Sequence, residues 1–143
     1  MVSLNFLTES AQAAKSINRL NSMKKKNDPR HLSRVKLMKE IYEKGFRDDL
    51  KVGKKSDLHS VLLKQNEIDK LISKNAPAWP IDQIASVDLA TLRLAIWELR
   101  FKSDPEPTKA IIDEAIEIAK EFGSKSSPSF VNGVLGSIVQ KES

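Results

Sequence analysis

The chain has no cysteine, only two histidines, and five scattered glycines; aromatic residues make up 6% of its 143 residues. Without cysteine there is no disulfide, no thiolate nucleophile and no Cys-ligated zinc, which fits a reducing compartment. His31 and His59 fall in no metal-ligand spacing, so no metal is expected. The glycines build no phosphate-cradling loop. Neighbouring carboxylates such as Asp113 and Glu114 lie beside lysines in a helical pattern and read as solvated helix charge. Ser126 and Ser127 have no histidine near them in sequence to activate a hydroxyl. The expectation is a protein that is not an enzyme and carries no cofactor. No apolar run approaches the roughly 18 residues of a membrane span. The first residues lack the basic start, apolar centre and small-residue cleavage site of a secretory signal. A cytoplasmic location is expected.

What the chain does have is a 40% hydrophobic content, mostly aliphatic, and a net charge of +5 that is unevenly spread. Residues 15–55 hold 14 Lys/Arg against 5 Asp/Glu, and residues 56–143 hold 10 against 13. A basic N-terminal third joined to a slightly acidic body has the electrostatic footprint of a polyanion-binding end. A lysine-rich solvated face has the same composition.

Helical periodicity dominates. Leu4, Leu7, Ala11, Ala14 and Ile17 fall on one face and predict an amphipathic helix over about 3–21, followed by a basic linker at "MKKKNDP". Residues 1–27 read as an N-terminal arm, either an extra helix or, because Met23 could open a compact chain, a product of start-site assignment; 28–143 read as the domain. Asp28-Pro29 opens a helix over about 32–46 with Val35, Met38, Ile41, Tyr42 and Phe46 inward. "DDLKVGKKS" is a loop, and Ser56 or Asp57 caps a single helix over about 57–75. "APAWP" ends it, since Pro77 and Pro80 disfavour helix just before them, and Trp79 is expected to plug the junction between helical units. One or two helical turns over 81–85 precede a helix over about 87–102, which includes Trp97 as a core or half-core residue. The next follows Pro107 and ends at Gly123, where a left-handed residue is expected. Ser127-Pro128 supplies a cap and first-turn proline for a last helix. That entry overrides the hairpin signal of Asn132-Gly133, and close approach of another helix at Gly133 and Gly136 would offset their low propensity. No segment alternates like a strand. The expected fold is all-α, six to seven helices in two packed bundles.

Two features suggest nucleic acid. Arg30 and Arg34 are four apart at a helix start, with Lys36 and Lys39 beyond them. Arginine at the positive end of a helix dipole is unfavourable, and a phosphate backbone would relieve the conflict; so would acidic residues of the body. Phe130 lies in the first turn of the last helix. There it either stacks a base of single-stranded nucleic acid or packs as ordinary core.

Three blocks, "EIDKLISKNAPAWPIDQIASVDLATLRLAIWEL", "AIIDEAIEIAKEFG" and "SFVNGVLGSI", resemble in order and spacing the NusB transcription antitermination family. The resemblance is strong over about 57–140, and "RHLSRVKLMKEIYEKGF" is more weakly similar to the family's arginine-rich first helix. It implies an RNA-binding factor for boxA-like single-stranded RNA. It implies as partner the small-subunit ribosomal protein that acts as NusE, and, indirectly, other Nus factors and RNA polymerase on ribosomal RNA operons. Arg30, His31, Arg34, Lys39 and Phe130 match RNA-facing positions. Tyr42, Asp82 and Asp88 match positions turned toward the ribosomal protein, whose basic character suits acidic contacts.

The chain departs from the family pattern in four places. His31 and Leu32 thin the arginine cluster, the loop over 47–56 is short, Asp113 stands where Asn is common, and Ser126 stands where an acidic residue can occur. The thinned cluster leaves a second reading open, a protein-interaction scaffold without specific RNA readout. A NusB-like accessory domain of an RNA methyltransferase is disfavoured because the chain has no room for a methyl-donor-binding domain.

Overall fold

The computed structural model describes residues 27–141; the helix expected over 3–21 lies outside them. The contacts divide the chain into residues 1–33 and 34–143. Among the described residues there are six α-helices, a 3₁₀ turn at Ile81–Gln83 and no strand, an all-α fold.

Helix α1 (Pro29–Lys44) begins three residues before the expected 32, directly at the Asp28-Pro29 entry: Asp28 Oδ1 accepts a hydrogen bond from the Arg30 amide at 2.8 Å, with proline at the first helical position. It ends at Lys44, two residues early, which leaves Phe46 outside the helix and 65% exposed rather than inward. Leu37, Met38 and Ile41 carry its buried stripe.

The helix expected over 57–75 is two. α2 (Asp57–Leu63) is capped by Ser56, whose Oγ accepts from the His59 amide at 3.1 Å. α3 (Gln65–Asn75) starts after Lys64, where the backbone turns to φ −105°, ψ 4°. The Lys64 amide donates to Val61 at 3.1 Å, a tightened last turn. Val61 and Ile68, seven residues apart, are both fully buried, and Leu63 faces out.

α4 (Ser86–Arg100) is the centre of the second unit and packs against α3, α5 (Thr108–Phe122) and α6 (Ser127–Gln140). Eight consecutive-turn positions from Ala90 to Glu98 are buried, with Arg93 the exception in that span. Burying a side chain such as Leu92 or Ile96 contributes roughly 1.5–3 kcal/mol. Thr91, fully buried, satisfies its hydroxyl by donating to the Val87 carbonyl at 2.8 Å. Trp97 is core, as expected. Polar latches tie the periphery: Ser137 Oγ donates to Asn75 Oδ1 at 2.8 Å, joining α6 to α3.

Two glycine expectations are corrected. Gly123 is extended (φ −92°, ψ −167°), not left-handed. Its need is spatial, since an added Cβ would lie 2.5 Å from Ser127 Oγ and 2.7 Å from the Ala119 carbonyl. The same Ser127 Oγ accepts from the Ser124 amide at 2.9 Å, so the residue expected to cap α6 stabilises the loop before it and is itself the first residue of the helix. No described helix comes close to Gly133 or Gly136: an added Cβ at either would meet nothing within 4 Å.

Candidate nucleic-acid interface

Helix α1 carries four of the five basic or aromatic positions singled out for RNA. Arg30 is exposed and His31 is 3% exposed. Lys39 is exposed, with its Nζ held 5.0 Å above the Phe122 ring centre of α5. That cation–π contact contributes on the order of 0.5–1 kcal/mol at an exposed site and fixes where the charge stands.

Arg34 is different. Only 7% exposed, its Nε donates to both oxygens of Glu98 at 2.9 and 3.1 Å. One terminal nitrogen lies 3.3 Å from Glu106 and the other 4.0 Å from Glu114. Burial pulls the guanidinium pKa down, but the hydrogen bond and charge of Glu98 and the charges of Glu106 and Glu114 more than reverse this, so it stands above its ordinary value. Glu98, also buried, receives a second cation, Lys102, at 3.7 Å. Of the two ways to relieve Arg34 of its place near a helix start, the described residues show the acidic body.

Phe130 on α6 is half-buried, packed on the core, and in edge contact with Trp79 at 6.4 Å between ring centres and 78° between planes. Trp79 is 51% exposed, so it does not plug a junction as expected. Pro77 and Pro80 on either side keep it out of a helix that could have carried it inward. The two rings, with Ile84, Asp88, Ser124 and Ser126, line a groove of about 280 Å³. Asp88, in the first turn of α4, is buried and its Oδ1 has no hydrogen-bond partner. Burying an unpaired acceptor costs about 1–3 kcal/mol, more when it is charged.

Of the three positions matched to a protein partner, Tyr42 and Asp88 line different hollows, and Ser86 and Leu89 on either side of Asp88 line the Tyr42 hollow. Tyr42 is exposed and meets Phe46 in a tilted contact, 5.0 Å between ring centres and 57° between planes, at a hollow of about 350 Å³ that both line with Lys44, Gln65 and Arg93. Asp82 is exposed on the 3₁₀ turn, and Asp88 lies beneath the Trp79–Phe130 groove. The sequence points to Trp79 only as a junction plug and to Glu114 only as solvated helix charge, whereas Glu114 is 17% exposed beside Arg34; Glu98 and Glu106 are not singled out by it. Trp79 carried a readable signal, an aromatic trapped between prolines; the carboxylates, 64 or more residues away, carried none. Among the described residues no group of His, Cys, Asp and Glu is arranged to hold a metal, and no helix is long and apolar enough to cross a membrane.

Comparison with known proteins places this arrangement. The NusB family model matches residues 8–140, which takes in most of the segment read as an arm. The transcription antitermination protein NusB of Herpetosiphon aurantiacus is 51% identical over 79 residues, 54% of each chain; the chain thus spans about half the length of that relative. The NusB protein of Alkaliphilus oremlandii is 36% identical over 131 residues, covering 79% of this chain and 94% of its own. The solved structure of T. maritima NusB superposes with a TM-score of 0.70 at 32% identity, over 79% of this chain and 92% of that one. The shared helical core, the block order and a family match across nearly the whole length make this chain a member of the NusB family.

Proposed function

We propose that this chain is a cytoplasmic transcription antitermination factor. In this reading it binds boxA-type single-stranded RNA together with the small-subunit ribosomal protein acting as NusE, and promotes processive transcription of ribosomal RNA operons. The relatives' name supports it, and the observation that carries it is the half-buried Phe130 in contact with an exposed Trp79, a stacking platform for unpaired bases. Arg30 and Lys39 supply phosphate contacts. His31 and Arg34, both buried, contribute by setting the geometry of α1 rather than by touching phosphate. Tyr42 and Asp82, both exposed, face the ribosomal protein, and Asp88 is the remaining acidic position of that set. The chain scaffolds an assembly and performs no chemistry of its own.

Affinity purification of the full chain from native cell extract, with bound RNA and protein identified, tests the proposal. Enrichment of ribosomal RNA leader sequence with a small-subunit ribosomal protein is expected; recovery of neither would overturn it. A second reading, a protein-interaction scaffold without RNA readout, is favoured by one observation: the engagement of Arg34 with three glutamates thins the available arginine cluster. It would show as recovery of the protein partner without enriched RNA.

A further inference from the structure

Lys39 and Phe130 come from helices far apart in sequence, yet one turn of the chain serves both. The Lys39 ammonium stands 5.0 Å above the ring of Phe122, the last residue of α5. Two residues further on, Ser124 lines the groove of Trp79 and Phe130. The chain between α5 and α6 is locked. The Gly123 amide donates to the Ala119 carbonyl at 2.9 Å, and an added Cβ on Gly123 would crowd Ser127 Oγ. Ser127 is 1% exposed. Its Oγ accepts from the Ser124 amide at 2.9 Å, and its own amide donates to the Ser124 carbonyl at 3.1 Å. The ring that holds the lysine and the wall of the groove therefore belong to one closed turn.

We infer that the turn over 123–127 is a spacer that sets the Lys39 charge at a fixed place relative to the groove, with Phe122 as the positioning residue for the lysine. The inference rests on the RNA reading above and deepens it. A free lysine side chain samples many rotamers, and holding it on a phosphate costs that freedom. The Phe122 ring restricts the side chain before RNA arrives, which strengthens binding by pre-organisation. An ammonium has three donors, and at an exposed position those turned away from the ring can donate to a phosphate oxygen. Phosphates recur at every nucleotide, so a mobile lysine would meet whichever came nearest. A lysine fixed relative to a stacking groove selects one phosphate, counted from the base in that groove. Stacking itself tolerates any base. The selectivity of this pair is thus for the path of the strand, one whose backbone brings a set phosphate to Lys39 while a nearby base lies against Phe130.

Phosphate scanning tests this. A boxA-type single strand carries an uncharged methylphosphonate at one position at a time, and its affinity for the full chain is measured at about 0.1 M salt. Losing one phosphate contact weakens single-strand binding roughly five-fold under that condition. Among the penalised positions, one should lose its penalty in Lys39→Ala, which marks it as the lysine's phosphate. Phe122→Leu keeps an apolar side chain for the core but has no ring face. It should cut the penalty at the marked position to about two-fold and spread it to the neighbours, whereas Phe122→Tyr should keep the parent's pattern. In a Lys39→Ala background, Phe122→Leu should weaken RNA binding no further, a result that a merely structural role would not give. A glycine inserted between the exposed Lys125 and Ser126 lengthens the spacer and leaves Phe122 unaltered. It should blur the marked position in the same way, even if Phe122→Leu fails to fold; unfolding temperature is recorded alongside. RNA binding with no marked position, or with its penalty undiminished in the lengthened chain or in Phe122→Leu, overturns this inference and leaves the proposed function standing. So does an equal effect of Phe122→Leu with and without Lys39. Absence of RNA binding by the unaltered protein overturns both.

Discussion

Replacing Arg34 by alanine probes the least expected feature of the fold. The guanidinium is 7% exposed and is bound by Glu98 through Nε at 2.9 and 3.1 Å, with Glu106 and Glu114 further out. Removing one member of a buried pair leaves the other charge uncompensated, at about 3–5 kcal/mol. Here Glu98 keeps Lys102 at 3.7 Å, and Glu106 and Glu114 are partly solvated, so the lower end applies, about 3 kcal/mol. For a chain of this length each kcal/mol moves the unfolding temperature by about 3–4 °C, giving a fall near 10 °C. The raised pKa of Arg34 adds a sign. Stabilisation by a group with a raised pKa is fully present below its ordinary value and is lost only as pH climbs through the raised one. The Arg34→Ala penalty is therefore constant between about pH 6 and 9. Thermal unfolding by circular dichroism across that range measures it. The double variant Arg34→Met with Glu98→Leu should recover more than half of the loss, because an apolar pair does not strand a charge. A single variant that unfolds within a degree or two of the parent would refute the reasoning, and so would one whose deficit vanishes as pH rises within that range.

Three further outcomes follow from the same geometry. Phe130→Ala should weaken single-stranded RNA binding by about 1–3 kcal/mol in a fluorescence titration, with Phe130→Leu intermediate because it retains packing but not the ring. Lys39→Ala should weaken binding to all sequences alike and reduce the slope of log affinity against log salt by about one. Gly133→Ala and Gly136→Ala should each raise stability by about 0.5–1 kcal/mol in denaturant unfolding, since an added methyl meets nothing within 4 Å among the described residues; Gly123→Ala should lower it, because its methyl has no room beside Ser127.

The helices that were readable in the sequence are those bounded by residues with only one good use. Asp28-Pro29 opens α1, Ser56 opens α2, and the apolar stripe of α6 prevails over its Asn-Gly step because the described residues offer no strand to pair with. The break at Lys64 was not readable, since lysine is a good helix former and no Gly or Pro marks the position. On either side of it the neighbours differ: α2 packs on α4, whereas α3 packs on α4 and α6. Gly123 was assigned the right place for the wrong reason: glycine is needed there to admit Ser127, and sequence cannot separate close approach from a left-handed backbone. At the candidate site, position and charge point to Phe130 and Lys39, and the fold leaves the first half-buried on the core and the second exposed. The burial of Arg34 was legible only as one of two choices, because its carboxylate partners come from α4, α5 and the loop between them. Asp88 was singled out by resemblance alone, and its unpartnered oxygen beside Phe130 needed the folded chain.

The central claim is that this chain, with a basic ribosomal protein, selects a boxA-type RNA. Fluorescence anisotropy with a labelled boxA-type single strand and a scrambled strand of the same composition, each with and without the ribosomal protein at one fixed salt concentration, tests it most directly. The account predicts that the protein partner tightens binding to the boxA strand well beyond its effect on the scrambled one. Equal affinity for both strands, in the presence and absence of the partner, would contradict it.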